Sequence, residues 1–206
     1  MNVVPPKDAK SMIRDELRSA RRGMPRPEVE AGSRQIQSHL SVWLRENQFS
    51  AVAAYMATRN EPAIHPAMDQ DDRHDRRWYF PRVLADGAME FIAWRSYEPL
   101  RKGTFGIKEP ADGQRLEFEG RDVLVLLPCV AVDHAGNRLG SGAGYYDRFI
   151  KSLPDTARVT LVGVCWERFF LRDLLPAESF DMPVHAVLTE SGFVSLCDLG
   201  SMVTRK

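Results

Sequence analysis

One segment, residues 138–147, combines the residue types that a phosphate site requires. It reads Arg-Leu-Gly-Ser-Gly-Ala-Gly-Tyr-Tyr-Asp, with three glycines at alternate positions between an arginine and an aspartate. Glycines let the backbone approach a ligand closely, a guanidinium binds phosphate oxygens, and a carboxylate holds a metal ion, as phosphoryl transfer requires. We therefore predict a polyphosphate site here, although glycines spaced in this way also serve hairpins and bulges.

The glycine spacing separates this segment from two better-known nucleotide loops. It is G-x-G-x-G rather than the dinucleotide pattern G-x-G-x-x-G, and it lacks the lysine and hydroxyl residue that end a P-loop. A continuous apolar run at residues 122–127 precedes it, and residues 145–153 have helical spacing. We expect the loop to join a buried strand to a helix N-terminus, where unpaired N–H groups and the helix dipole favour an anion.

The elements that must position this loop alternate along the chain. Asp86-Gly87 favours a hairpin, and the mixed charge run at residues 69–77 is predicted to be a solvated loop. Because strand, loop and helix recur, we predict an α/β fold, a layered α/β/α domain with a largely parallel sheet. Helices are predicted at residues 8–22 and 27–47, and strands at residues 51–57, 77–83, 89–94, 123–127, 158–165 and 184–188.

Composition agrees with a soluble enzyme and says little more. The 206 residues are enough for one well-buried core, and 28 basic against 28 acidic residues give no global field for nucleic acid or an anionic membrane. No apolar run approaches membrane-spanning length, and residues 1–6 lack the apolar core of a signal peptide. We expect one domain over residues 1–206, a cytoplasmic monomer that acts on small molecules without nucleic-acid or membrane partners.

The three cysteines, Cys129, Cys165 and Cys197, form no C-x-x-C pair. Neither a disulfide framework nor a zinc site is therefore indicated. We interpret each as a small apolar residue of the interior rather than a nucleophile, because no neighbouring histidine or helix start is evident that would lower the pKa of a thiol.

The first predicted helix carries a row of cations beside an apolar stripe. At ~100° per residue, four basic side chains fall within roughly an 80° arc: Lys10, Arg14, Arg18 and Arg21. A row of this kind is usually a solvated helix face, and we predict a solvated position for Arg18 and Arg21.

Residues 138–147 resemble the signature of the 5-formyltetrahydrofolate cyclo-ligases, a family also called methenyltetrahydrofolate synthetases. The resemblance extends along most of the chain in the family's order and spacing, through Lys10, Arg14, Glu61 and residues 80–83, 89–91, 105–110, 181–184 and 189–190. The sequence departs from the family's usual residues at four positions: Cys129, Val132, Phe180 and His185. These departures leave open a paralogue with a changed substrate.

The resemblance implies an ATP- and magnesium-dependent ligase that converts 5-formyltetrahydrofolate to 5,10-methenyltetrahydrofolate and releases ADP and phosphate. It implies that Lys10, Arg14 and Arg138 are catalytic and bind ATP phosphates, that Asp147 and Asp181 bind Mg²⁺, and that Met56 and Glu61 contact folate. Further ATP contacts are expected from Leu139, Gly140, Ser141, Gly142, Ala143, Gly144, Tyr145 and Tyr146. Tyr145 and Phe105 are candidate walls of the folate pocket, whereas Trp94 is predicted to be core.

The residues themselves allow other interpretations. Asp147 could be a helix-start residue that satisfies backbone N–H groups, Asp181 a turn residue before Pro183, and Glu61 a surface carboxylate. Two other functions also stay open. One is a related enzyme that uses the same ATP site on another carboxamide or formamide, and the other is a non-catalytic nucleotide- or folate-binding module.

Overall fold

The structure is a computed structural model that describes residues 6–73, 75–178 and 181–197. Two consecutive helices, α1 (Pro6–Arg22) and α2 (Arg26–Glu46), precede the first strand. A shorter helix, α3 (Tyr145–Lys151), follows the glycine segment. Pro27 is in the first turn of α2, where its missing N–H costs no hydrogen bond and its fixed φ suits a helix.

The strands are mostly short, and they form three sheets. In chain order they are β1 (Ala51–Ala53), β2 (Arg77–Val83), β3 (Met89–Ala93), β4 (Leu100–Lys102), β5 (Lys108–Pro110), β6 (Asp122–Pro128), β7 (Ala131–Asp133), β8 (Arg138–Leu139), β9 (Arg158–Val164), β10 (Phe170–Leu171), β11 (Ala186–Thr189) and β12 (Gly192–Ser195).

The largest sheet has the strand order β12-β11-β9-β6-β1-β2-β3. Its five central strands are parallel, and the two edge strands, β3 and β12, are antiparallel to their neighbours. The two smaller sheets are β10-β7-β8 and the hairpin β4-β5. The prediction of an α/β fold with a largely parallel sheet is therefore confirmed.

Both faces of the large sheet are buried, which explains the continuous apolar runs of its central strands. On one face, Leu40 of α2 packs in a cluster with Val52 and Leu124. On the other face, Phe149 of α3 packs in a cluster with the alternate strand residues, including Val123. Helices thus cover both faces, and the three layers are those expected from the sequence.

The predicted helices and strands end within two residues of their expected positions, with one exception. The strand expected at residues 51–57 ends at Ala53, because the chain leaves the sheet after Ala54 and turns through two left-handed residues, Arg59 (φ 49°) and Asn60 (φ 60°). The predicted hairpin at Asp86-Gly87 is present between β2 and β3, with Gly87 at φ 80°. The strands that the sequence did not indicate are two to four residues long, too short to show a periodicity.

The glycine segment does not follow β6 directly, so that expectation was wrong. A small hairpin, β7-β8, intervenes, and residues 140–144 join β8 to α3. The buried Asp133 carboxylate closes this hairpin, because it accepts hydrogen bonds from the backbone N–H groups of Ala135 and Asn137 at 2.9 Å. The helix N-terminus after the loop was predicted correctly.

The charge run at residues 69–77 is not simply a solvated loop. Its first residues continue a 3-10 helix, His65–Gln70, and two of its charges form a buried ion pair, Arg76 with Asp71. Within the described residues, no helix has the length and apolar character needed to cross a bilayer. The start of the chain, residues 1–5, on which the signal-peptide interpretation rests, lies outside the described residues.

Candidate active site

A cavity of about 930 Å³ lies at the carboxyl ends of three adjacent parallel strands. Its wall includes Met56 beyond β1, Val83 at the end of β2 and Pro128 at the end of β6. Ligands of open α/β sheets bind at this edge, and the volume suits a cofactor-sized or drug-sized ligand.

Every site residue named from the sequence lines this one cavity, although the residues span most of the chain. They are Lys10, Arg14, Met56, Glu61, Phe105, Arg138, Leu139, Gly140, Ser141, Gly142, Ala143, Gly144, Tyr145, Tyr146, Asp147 and Asp181. The structure therefore brings the predicted phosphate, metal and folate residues together.

The glycine segment folds so that two of its glycines are required by the backbone. Gly142 (φ 97°) and Gly144 (φ 69°) have left-handed conformations that side chains disfavour. At Gly140 an added Cβ would meet no atom within 4 Å, so this position is open. Arg14 Nε donates to the Gly140 carbonyl oxygen at 2.9 Å, which joins α1 to the segment.

Arg138 and Asp147, at the two ends of the segment, form an ion pair. Arg138 Nη2 lies 2.5 Å from Asp147 Oδ1, and Arg138 Nη1 donates to the Met182 carbonyl oxygen at 2.7 Å. The capping alternative for Asp147 is not observed, because Gly144 precedes the helix and no side chain caps it. The Asp147 carboxylate remains 40% exposed, so it is accessible from the cavity.

Lys10 of α1 reaches across to two carboxylates of the segment before β11. Its Nζ lies 2.5 Å from Asp181 Oδ2 and 2.8 Å from Glu178 Oε2. Burial by itself would lower the pKa of Lys10, but the hydrogen bonds to Asp181 and Glu178 outweigh it and raise that pKa. Burial likewise opposes ionisation of Asp181, yet the bonds from Lys10 and from the Glu178 backbone N–H leave the Asp181 pKa lowered.

Glu178 is a cavity residue that the sequence interpretation missed. It has no motif of its own, and only its contact with Lys10 identifies it. Asp181 does act as a turn residue, because its Oδ2 accepts the Glu178 N–H at 2.7 Å. The same oxygen also faces Lys10, so the turn is not its whole role.

Arg21 is buried rather than solvated, so the solvated-face prediction was wrong for this residue. Its Nη2 lies 3.2 Å from Oε1 of Glu61, and both side chains line the cavity. Arg18 lines the same cavity and is half-buried. Arg18 and Arg21 belong to the same helical arc as Lys10 and Arg14, because residues spaced by three and four lie on one helix face. The sequence therefore already contained a pattern that indicated their position beside the cavity.

Glu61 is held by its own turn and is not a surface carboxylate. Its Oε2 accepts hydrogen bonds from the Thr58 N–H at 3.0 Å and from the Thr58 hydroxyl at 3.2 Å. Its side chain is 12% exposed. The turn therefore presents a fixed carboxylate to the cavity.

Aromatic side chains complete one wall of the cavity. Phe105, which is left-handed at φ 58° and 66% exposed, meets the Tyr145 ring edge-on at 6.2 Å. Trp94 lies outside this wall and packs edge-on against Phe80 in the core, as predicted. Glu109, another buried cavity residue that the sequence interpretation missed, accepts the Val83 N–H at 3.2 Å.

The cysteines do not provide a nucleophile to this cavity. Cys129 and Cys165 are buried in the core and line no part of it. Burial raises the pKa of the Cys129 thiol to about 12 and that of Cys165 well above its usual value, which keeps both protonated at neutral pH. Cys197 is partly exposed, and its Sγ donates to the His185 carbonyl oxygen.

Fold and cavity together define an α/β protein with a cavity, lined by both cations and carboxylates, at the carboxyl edge of its sheet. A model of the 5-formyltetrahydrofolate cyclo-ligase family matches residues 6–190. The chain is 33% identical to the 5-formyltetrahydrofolate cyclo-ligase of Mycolicibacterium smegmatis over 196 residues, 91% of this chain and 97% of that protein. It is 28% identical to the enzyme of the same name from Escherichia coli K12, over 85% of this chain and 97% of that one.

A solved structure agrees with these relatives. The 5,10-methenyltetrahydrofolate synthetase of Aquifex aeolicus superposes with a TM-score of 0.78 and 28% identity, over 92% of this chain and 93% of that one. The chain therefore belongs to the 5-formyltetrahydrofolate cyclo-ligase family, and its enzyme class is that of a ligase.

Proposed function

We propose that this protein converts 5-formyltetrahydrofolate to 5,10-methenyltetrahydrofolate and couples the reaction to cleavage of ATP to ADP and phosphate. The observation that supports the proposal is the shared cavity, which is lined by the residues that the family resemblance assigns to phosphate, metal and folate. Cations from α1 and from the glycine segment lie beside carboxylates, and a separate fixed carboxylate, Glu61, lies in the same cavity.

ATP would bind along the glycine segment. Lys10, Arg14 and Arg138 supply three cations for phosphate oxygens, and the open position at Gly140 lets a phosphate approach the backbone. Leu139 and residues 141–146 line the rest of this wall. The guanidinium of Arg138 is nearly buried, so its charge acts through less solvent screening than a surface arginine's would.

Asp147 and Asp181 fit a magnesium ion that binds together with ATP. Within the described ranges, no cluster of three or more histidine, cysteine, aspartate or glutamate side chains could hold a metal. Mg²⁺ is commonly held by one or two carboxylates, with phosphate oxygens and waters completing its shell, and these two cavity carboxylates meet that requirement. The bound ion would neutralise charge on the phosphates.

The chemistry requires the formyl oxygen to leave, and phosphorylation makes that possible. The formyl oxygen attacks the γ-phosphorus, the bond from that phosphorus to the bridging oxygen breaks, and ADP leaves. N10 then attacks the formyl carbon of the imidate phosphate. The bond between that carbon and the phosphate oxygen breaks, which releases inorganic phosphate as the ring closes. N10 loses its proton to water. The protein contributes positioning and charge stabilisation through Lys10, Arg14 and Arg138.

Folate would occupy the end of the cavity that contains Glu61. The pterin offers N–H donors to that carboxylate, and Met56 offers a thioether to the flat face of the ring. Phe105 and Tyr145 would form the aromatic wall between this end and the glycine segment.

Three of the four sequence departures do not line this cavity. Cys129 and Val132 are core residues, and His185 Nδ1 accepts the Leu161 N–H at 2.9 Å, while Phe180 lies outside the described residues. These three residues therefore give no support to a changed substrate. We also propose that residues 1–206 form one domain, since a single family model spans residues 6–190, and that this domain acts as a cytoplasmic monomer.

Isotope transfer tests the proposed function directly. With Mg²⁺, ATP and 5-formyltetrahydrofolate labelled with ¹⁸O in the formyl group, the near-ultraviolet absorbance of the methenyl product should rise, and the label should appear in inorganic phosphate. One ADP should form per product. Failure to form the methenyl product would contradict the function, and product formed with unlabelled phosphate would contradict attack by the formyl oxygen.

A further inference from the structure

The Arg21–Glu61 pair differs from an ordinary buried ion pair, because some N–H donors of its arginine have no hydrogen-bond partner among the described residues. The Arg21 side chain is 4% exposed and lines the cavity. Its Nη2 faces Glu61, but Nε and Nη1 are buried and have no hydrogen-bond partner among the described residues. A guanidinium stays charged and carries five donors, so unpaired buried N–H groups are costly.

The turn that carries Glu61 is anchored by contacts other than the Arg21 side chain. Asn60 Nδ2 donates to the carbonyl oxygens of Arg21 and Met24, each at 3.2 Å, and so fastens the turn to the end of α1. Trp166 Nε1 donates to the Asn60 carbonyl oxygen at 2.9 Å. Docking of this segment therefore leaves the two unpaired donors of the Arg21 guanidinium unexplained.

Together, the two side chains place complementary groups side by side in the cavity wall. Glu61 accepts two hydrogen bonds from Thr58 and faces Arg21, which leaves its carboxylate at least one of its roughly four lone-pair sites. Arg21 offers two unpaired donors beside it. The pair therefore fits a flat heterocycle edge on which a carbonyl acceptor adjoins N–H donors.

We propose that Arg21 is a specificity-determining residue that donates to the ring carbonyl of the pterin while Glu61 accepts from the adjoining N–H groups, an assignment that rests on the proposed function. The pterin of a reduced folate has this edge, a 4-carbonyl beside the ring N3–H and the 2-amino group. A site that leaves buried donors unpaired rejects a ligand without the matching acceptor, which is how such a pair confers specificity.

The test compares two inhibitors in wild type and in Arg21→Met. One is a non-reacting reduced folate with its 4-carbonyl, and the other is its 4-thio analogue, which keeps every N–H donor but has a weak sulfur acceptor. Wild type should bind the carbonyl compound about tenfold or more tightly than the thio compound, and Arg21→Met should bind the two about equally.

Substrate kinetics give the second measurement. Arg21→Met should raise the KM for 5-formyltetrahydrofolate roughly ten- to a hundredfold and change the KM for ATP little, and Arg21→Lys should recover part of the loss. Arg76→Met is the matched control, because it also removes a buried arginine from a carboxylate but lies outside the cavity. It should leave both KM values unchanged.

The outcomes separate this inference from the proposed function. If wild type forms the methenyl product but binds both inhibitors equally, or if Arg21→Met retains the wild-type preference, the assignment of Arg21 is wrong and the function stands. If wild type forms no product, the proposed function is wrong. Should Arg21→Met fail to fold, the wild-type inhibitor ratio and Arg21→Lys still decide, and a ratio near one overturns the proposal.

Discussion

Two buried arginines of this chain, Arg76 and Arg21, each face a carboxylate, and they differ in how fully their donors are used. Arg76 donates to Asp71, to Phe49 and to two carbonyl oxygens at the end of α2, so that all three of its nitrogens have partners. Its carboxylate partner also accepts from Trp78 Nε1 at 2.8 Å. The Arg21 guanidinium forms an ion pair with Glu61, and among the described residues its other two nitrogens have no hydrogen-bond partner.

The difference separates a structural pair from a binding pair. A buried ion pair stabilises a fold only when its remaining donors and acceptors are satisfied, and the Arg76 pair meets that condition. The Arg21 pair lines a cavity and leaves donors unused, as do sites that are completed by a ligand. The Arg138–Asp147 and Lys10–Asp181 pairs line this cavity as well, although their donors are not shown to be unused.

Arg76→Met should break the structural pair with the largest loss of stability and no kinetic effect. Removal of one partner leaves Asp71 buried without its cation, a change that typically costs about 3–5 kcal/mol. Denaturant unfolding measures the loss, and steady-state kinetics on the folded variant should give wild-type KM values. A raised KM for either substrate would show that complete hydrogen bonding of an arginine–carboxylate pair does not distinguish a structural pair from a binding pair.

Arg138→Ala should have the opposite effect, a large loss of rate with little loss of stability. Loss of a preorganised donor to a developing charge typically costs on the order of 10²–10³ in kcat, and a lysine should restore only part, since it lacks the planar fork. Folate binding should change little. Arg158→Ala, which removes a half-exposed arginine from a surface pair with Asp122, is the control and should leave kcat unchanged. A near-wild-type rate for Arg138→Ala would remove this residue from the site.

Glu61→Gln sharpens the distinction between the two ends of the cavity. We expect the KM for 5-formyltetrahydrofolate to rise, with ATP affinity little changed, because a hydrogen bond to a charged group contributes about 1.5–3 kcal/mol. The amide keeps one acceptor, so the smaller value is expected. Separate titrations of each substrate measure this, and equal weakening of ATP would mean that the cavity has no separate folate end.

Asp147→Asn should shift the magnesium dependence of the rate to roughly tenfold higher concentration, because the amide keeps the shape but loses the anionic oxygen that a hard cation prefers. Asp181→Asn should do the same more weakly and should also lower stability, since the amide removes the negative charge that pairs with Lys10. Magnesium titrations of both variants test this. Unchanged titrations with lowered melting temperatures would assign both residues to the fold alone.

The Lys10–Asp181 pair should have the smallest effect on stability, and the size of that effect should change only at extreme pH. The Asp181 pKa is lowered, so its contribution to stability is present above its usual 3.8 and is lost as pH falls through the folded pKa. The Lys10 pKa is raised, so its contribution is present below its usual 10.5 and is lost as pH rises through the folded pKa. The stability difference between wild type and Lys10→Met should be constant between these limits and shrink beyond them, as unfolding at several pH values would show.

Much of this arrangement could be predicted from the sequence, for identifiable reasons. The central strands were predictable because burial on both faces makes them continuous apolar runs, as at residues 122–128. The gathering of Lys10, Glu61 and residues 138–147 in one cavity was implied by the family resemblance. Periodicity alone would not have brought together residues so far apart in the chain.

The remaining features depend on tertiary contacts that no local pattern reveals. Glu178 joins the site only because the chain returns it to Lys10, 168 positions away. Arg76 and Asp71 have the composition of a solvated charge run, and only packing against the end of α2 buries them. Arg21 is different, because its spacing along α1 already placed it on the same helix face as Lys10 and Arg14. The prediction of a solvated position followed the general rule for basic helix faces instead, and it was wrong.

The most direct test of the central claim is ADP release measured with and without 5-formyltetrahydrofolate. If one cavity joins the two substrates, ADP should form only when the folate is present, in a one-to-one ratio with the methenyl product, and Arg138→Ala should reduce both together. ADP release that is independent of the folate, or folate-dependent release without the methenyl product, would contradict the account.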